Sequence, residues 1–199
     1  LEQRIRAHME RAGYEEIRTP LFEDTAVFAR GIGEETDIVG KEMYTFTDKG
    51  GSSLTLRPEM TAPVMRAWLQ HSIGERAMHT RLYYIGAMFR QERPQAGRYR
   101  QFHQFGMESI GLATPECDAE VIALASDIYA DLAIPHVLKI NSVGDTESRR
   151  TYRAALQDFL RGVADRLTAE SQRRMETNPM RVLDSKAPQD REATDDAPH

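Results

Sequence analysis

Four arginines, at positions 90, 93, 98 and 100, crowd into eleven residues with a single glutamate, Glu92, in a chain of formal net charge −5. A cationic loop on an acidic protein is a local device for holding something anionic, and polyphosphate fits guanidinium chemistry best. The loop joins two strand-like runs, an apolar one over 82–89 and a returning one over 100–110. Along the returning run, side chains must alternate between faces. Arg100, Phe102, Gln104, Gly106 and Glu108 therefore share one side, and His103, Phe105 and Met107 the other. The first face offers an aromatic platform, an amide, a glycine gap and a carboxylate. Such a surface can stack a base near the loop and hydrogen-bond a small polar ligand further along. The plain alternative is a sheet face whose polar groups meet water.

Arg90 stands where the outgoing strand ends. Its planar fork suits phosphate or carboxylate oxygens, with a salt bridge to Glu92 or Glu108 as the structural alternative. The segment LTLRPEMT, 54–61, ends a strand at Pro58 and begins a helix. Glu59 and Thr61 thus lie at a helix amino terminus. There a carboxylate either caps free amides or meets a ligand ammonium. The histidines show no metal-like spacing, Cys117 is the single cysteine, and no metal ligand is assigned. Nor does any Ser, Cys or Lys stand beside a base as an evident nucleophile.

The elements that must position these groups follow from periodicity. Residues 1–12 read as an amphipathic helix stopped by Gly13, and 14–19 as a strand ending at Pro20. Asp24 caps a short helix, followed by a turn-rich GIGEE. Residues 43–47 and 53–57 flank Asp-Lys-Gly-Gly as a hairpin. Helical spacing covers 59–71, 114–132 and 145–163, and a further strand is expected over 136–143. From residue 165 the chain is rich in Arg and Glu, weakly apolar and expected to be peripheral, and the ending with Asp190, Glu192, Asp195 and Asp196 reads as a cut or frayed end. Hairpin strands mixed with helices predict an α+β fold, an antiparallel β-sheet flanked by helices. There is no Gly-rich strand-to-helix phosphate loop, so any nucleotide would lie on a sheet surface held by arginines.

Length and a 40% hydrophobic content suit one domain or one plus a fragment. No apolar run approaches the roughly 18 residues a membrane span needs, so no membrane partner is expected. A single cysteine fits a reducing cytoplasm.

GYEEIRTPLFE (13–23), ARGIGEETDIVGKEMYTFTD (29–48), LTLRPEMT, the arginine hairpin and METNPMRVLDSK (175–186) together resemble the class II aminoacyl-tRNA synthetases, specifically the histidyl-tRNA synthetase family. The resemblance implies a partial class II catalytic domain over 1–163, with a motif 1 remnant at about 1–23 and motif 2 at 89–111. Residues 164–199 would begin a helical insertion or peripheral segment, and the anticodon-binding domain would be absent. It implies adenylation of L-histidine by ATP with Mg2+ and transfer to tRNA(His), an activity of the intact parent enzyme, with this piece alone inactive or weak. Glu59, Thr61 and Gln104 would hold the α-ammonium, and Glu108 would accept from the imidazole N–H. Arg90 would bridge the α-phosphate and the substrate carboxylate. Glu92 would contact adenine or Mg-ATP, Phe102 would stack on adenine, and Arg98 would reach the outer phosphates. The strand with Pro20 would lie at a homodimer interface. Two rival readings share this fold. One is a non-catalytic paralogue such as the regulatory subunit of ATP phosphoribosyltransferase. The other is a synthetase-like domain that senses uncharged tRNA.

Overall fold

The computed structural model describes residues 1–32, 42–93, 95–141 and 144–198. They form two units, Leu1–His136 and Val137–His199, each with its own core. The boundary expected near residue 163 falls inside the second unit.

In the first unit, helix α1 (Glu2–Arg11) turns Ile5 and Met9, one turn apart, to its buried face. Gly13 follows at φ +76, the left-handed geometry that lets a chain leave a helix sharply. The strand expected over 14–19 contracts to β1 (Glu15–Glu16), which pairs in parallel with β5 (Thr80–Phe89). Beyond it the contact is kept by one bond, from the Ile17 N–H to the Tyr83 carbonyl at 2.8 Å. On its other edge β5 pairs antiparallel with β6 (Gln101–Ile110) over their full length. A second sheet places β4 (Ser53–Leu56) between β2 (Phe22–Asp24) and β3 (Tyr44–Thr47). Its hairpin is the one marked by Asp48 and the glycines. Asp24 opens α2 (Thr25–Ile32) as expected, its carboxylate accepting from the Ala26 N–H at 2.8 Å. The expected GIGEE turn runs into residues 33–35, outside the described residues.

Strand alternation sorts the two faces of the main sheet. Odd-numbered Tyr83, Ile85, Phe105 and Met107 pack with α1 and α4 (Pro115–Asp131) in a core that holds Ile5, Met9, Leu124 and Ile128. Even-numbered Leu82, Tyr84, Met88 and Phe102 pack with Met60 and Val64 of the segment leading through α3 (Thr61–Gln70). Arg57 joins the two sheets. Its carbonyl accepts from the Phe89 N–H at 2.9 Å, and its side chain donates to the carbonyls of Ala87 at 2.8 Å and Thr19 at 2.9 Å. Only 4% exposed, its guanidinium has its pKa lowered by burial, against the opposing pull of Glu23.

The strand expected over 136–143 does not form at 136–141, which is irregular, while 142–143 lie outside the described residues. Apolar alternation is there in sequence, but Val137 and Ile140 are 82% and 80% exposed. A strand needs a ladder partner, and no described strand pairs with this one.

In the second unit, Asp145 caps α5 (Thr146–Gly162) by accepting from the Ser148 N–H at 2.7 Å. Helices α6 (Ala169–Thr177), α7 (Met180–Leu183) and α8 (Pro188–Ala193) follow. They bury Leu156, Leu160, Leu167, Val182, Ala193 and Ala197 together. The frayed ending expected from sequence is thus corrected for the described residues. Near the end of the chain the small residues Ala193 and Ala197 join Leu167 and Val182 in this core. Asp190, 1% exposed, accepts from the hydroxyls of Thr168, Ser171 and Ser185 and from the Thr168 N–H, at 2.6–2.9 Å.

Candidate active site

The β5–β6 ladder sets Met88 opposite Phe102, Gly86 opposite Gln104, Tyr84 opposite Gly106 and Leu82 opposite Glu108. Phe102, Gln104, Gly106 and Glu108 therefore stand in a row on the face that packs against α3. The strap from Arg57 through Glu59 fixes several groups at once. Arg90 donates from Nε to the Pro58 carbonyl at 3.0 Å, and its own N–H bonds the Arg100 carbonyl at 2.9 Å. The guanidinium then lies 5.1 Å from the centroid of the Phe102 ring. Neither alternative salt bridge considered for it, to Glu92 or Glu108, is formed among the described residues.

Glu59 takes the capping role that its position allowed. Its carboxylate accepts from the N–H of Thr61 at 2.6 Å and of Ala62 at 3.0 Å, capping the first turn of α3. With Thr61 it also lines an open groove of about 670 Å³ between α2 and α3, whose wall includes Asp24, Val27, Arg30 and Arg66. Arg66 is held there by the nearly buried Glu23 at 2.6 Å.

Glu108 is drawn into this group. Burial pushes its pKa up, and the negative charge of Glu59 adds to that. The nearby hydroxyls of Thr61 and Tyr84 pull the other way without cancelling the rise. Tyr84, buried in its turn, has a hydroxyl pKa raised to about 12, chiefly by desolvation. Between these groups and Arg90, the Gln104 side-chain oxygen is buried with no hydrogen-bond partner. A buried acceptor in that state costs about 1–3 kcal/mol, a cost a ligand N–H would remove.

The loop groups stand apart from this row. Glu92 is half-buried and pairs with Arg98 at 3.4 Å, while Arg100 donates to the Glu92 carbonyl at 3.4 Å. Arg93 and Arg98 are exposed to solvent. Glu59, Thr61 and Glu108 thus form one linked group, Arg90 and Phe102 a second, with Gln104 between them, and Glu92 and Arg98 sit in the loop beyond. No group of acidic, histidine or cysteine side chains suited to a metal occurs among the described residues.

Two residues of this neighbourhood carry no sequence signal of their own. Arg57 reads as an ordinary strand end, and Tyr84 as one of several apolar strand positions. Tyr84 becomes recognisable only through register, since alternation places it on the Glu108 face once Gly106 is known to sit opposite.

A long antiparallel hairpin with an arginine loop, backed by helices on one face and met by a capped helix on the other, is the core of a class II aminoacyl-tRNA synthetase. The comparisons agree. The family described as histidyl-tRNA synthetase matches residues 1–145. A histidine–tRNA ligase of Chloroherpeton thalassium is 56% identical over 201 residues, covering all of this chain and 47% of the relative. One from Geobacillus thermodenitrificans is 54% identical over 200 residues, again with 47% of its length covered. The crystal structure of apo S. aureus histidyl-tRNA synthetase superposes with a TM-score of 0.70 at 39% identity, over all of this chain and 50% of that one. A Bacillus halodurans protein titled as an ATP phosphoribosyltransferase regulatory subunit/histidyl-tRNA synthetase, 23% identical with a TM-score of 0.60, shares the fold. The chain belongs to the histidyl-tRNA synthetase family, and it spans about half the length of the curated relatives it matches.

Proposed function

We propose that this chain supplies half of the adenylation site of a histidine–tRNA ligase, which joins L-histidine to ATP and passes the histidyl group to tRNA(His). The observation that carries the reading is the buried, unpartnered Gln104 oxygen between the Glu59–Thr61–Glu108 group and Arg90. An acceptor flanked by two carboxylates is what an α-ammonium needs. A carboxylate further along the row beyond Gly106, that of Glu108, then meets the imidazole N–H.

The chemistry needs no enzyme nucleophile, because the histidine carboxylate itself attacks the α-phosphorus and magnesium pyrophosphate leaves. What the protein must do is hold two anions in line and stabilise the charge that develops. Arg90 is built for this. Its Nε is engaged by the Pro58 carbonyl, so the outer edge of the fork is presented to oxygens. Phe102 offers a ring for adenine, Arg98 reaches from the loop toward the outer phosphates, and Glu92 turns toward adenine or the Mg-ATP complex. Selection of histidine follows from hydrogen bonding. A site that leaves polar groups unpaired when an analogue lacks the partner can reject it by roughly 10⁴–10⁵-fold.

In this reading residues 1–163 are the catalytic portion and 164–199 begin a helical insertion. The complete enzyme is a cytoplasmic homodimer with the Pro20 segment at its interface. No described helix is long and apolar enough to cross a membrane. The test is histidine-dependent ATP–pyrophosphate exchange by the full-length enzyme carrying this chain, followed by charging of tRNA(His). Exchange with histidine alone among the amino acids supports the reading, and absence of both activities overturns it. Absence of both, with retained assembly onto an ATP phosphoribosyltransferase, would favour the regulatory paralogue.

A further inference from the structure

Gly106 has no room for a side chain, and the reason is Tyr84. A Cβ placed on Gly106 would come within 2.3 Å of the Tyr84 hydroxyl and 2.4 Å of the ring carbon that bears it. The phenol therefore lies flat across the strand at the glycine gap, between the side chains of Gln104 and Glu108 on the same face. Its ring is 3% exposed and packed with Met60, Val64 and Met88, so the hydroxyl has little freedom to move. The polar groups near enough to act on the Glu108 carboxyl are Glu59 from the strap, Thr61 from α3 and Tyr84 from β5, and Leu82 stands opposite it in the ladder.

We propose that Tyr84 is a positioning residue for histidine selection, its hydroxyl laid over Gly106 and donating to the Glu108 carboxyl so that the remaining oxygen faces the substrate imidazole. The inference rests on the proposed role of Glu108 and adds the residue that aims it. A carboxylate on an unbraced two-carbon stem can rotate, and a rotated Glu108 would accept equally from an ammonium or from water. A phenol held by core packing removes that freedom at one oxygen. It also favours the ionised carboxylate, the form able to accept from an N–H, against the desolvation that opposes it. Gly106 is then part of the same device, because any larger residue evicts the phenol.

The test uses the full-length enzyme and Tyr84→Phe, which keeps the packing and removes only the donor. Loss of a hydrogen bond to a charged acceptor should raise KM for histidine about 10–100-fold, leaving KM for ATP within about twofold. Carbon NMR of the Glu108 carboxyl in histidine-free protein, assigned by its loss in Glu108→Gln, supplies a readout that a packing role would not move. Its titration should shift upward in Tyr84→Phe. Gly106→Ala, which displaces the intact phenol, should shift it the same way. An unmoved Glu108 titration in both variants, or equal losses for histidine and ATP, overturns the proposal. If Glu108→Gln itself leaves histidine binding untouched, the reading of Glu108 fails instead, and the two failures are told apart.

Discussion

The Arg90 guanidinium carbon lies 5.1 Å from the centre of the Phe102 ring, so the cation proposed for phosphate and the aromatic proposed for adenine are in contact with each other. An Arg–aromatic contact of this kind orients the fork as well as attracting it. Arg90→Ala should lower histidine-dependent pyrophosphate exchange by about 10²–10³-fold with the fold retained, the usual cost of losing one preorganised donor to a developing charge. Circular dichroism alongside the exchange assay checks both halves of that statement. Near-normal exchange would remove Arg90 from the site.

Phe102→Leu should act on the other partner. Loss of a stacked base costs about 1–3 kcal/mol, so KM for ATP should rise while histidine binding changes little. Separate titrations of the two substrates measure this, and a rise for histidine alone would reassign the ring.

Glu108 links the site to stability with a definite sign. Its folded pKa is raised by burial and by Glu59, so its ionised form costs the folded state free energy. Stability from this group is full below its unfolded pKa and is lost as pH rises through the folded value. Glu108→Gln should therefore raise Tm at neutral pH while weakening histidine far more than ATP. The gain in Tm should vanish below about pH 4, where the native carboxyl is protonated in both states. A variant that is less stable at pH 7 would contradict this.

Asp190 predicts the opposite trend in the second unit. Burial alone would push its pKa up, but hydrogen bonds from Ser185, Thr168 and Ser171 outweigh it and the net shift is downward. Its contribution is present above the unfolded pKa and is lost as pH falls through the folded one. A hydrogen bond to a charged group is worth about 1.5–3 kcal/mol, so Asp190→Asn should destabilise this unit by at least that order. Protection of α6 and α8 amides from hydrogen exchange should fall, and the acid dependence of that protection should flatten.

Much of the main sheet was legible because alternation and turn chemistry agree along it. The faces of β6 follow from period two alone, and the arginine loop marks itself by composition against an acidic chain. Helices α3, α4 and α5 announce their starts through the 58–61 turn, Pro115 and Asp145. Three things were not legible. The strand over 136–143 has the right pattern, yet pairing is a property of two strands and no described strand forms a ladder with residues 137–140. The tail beyond residue 165 hides its order in alanines and in a buried aspartate, which hydropathy scores as solvent-facing. Arg57 and Tyr84 are invisible because their importance lies in cross-strand register and in contacts between distant segments, neither of which is written locally.

The capping contacts of Glu59 constrain how this family can drift. One carboxylate ties off the opening amides of a helix and is proposed to help hold the substrate ammonium, so a substitution that retunes ligand affinity also disturbs that helix start. Natural variants that keep the fold should therefore keep this acid even where catalysis has been abandoned, and its presence alone is a poor marker of a working enzyme.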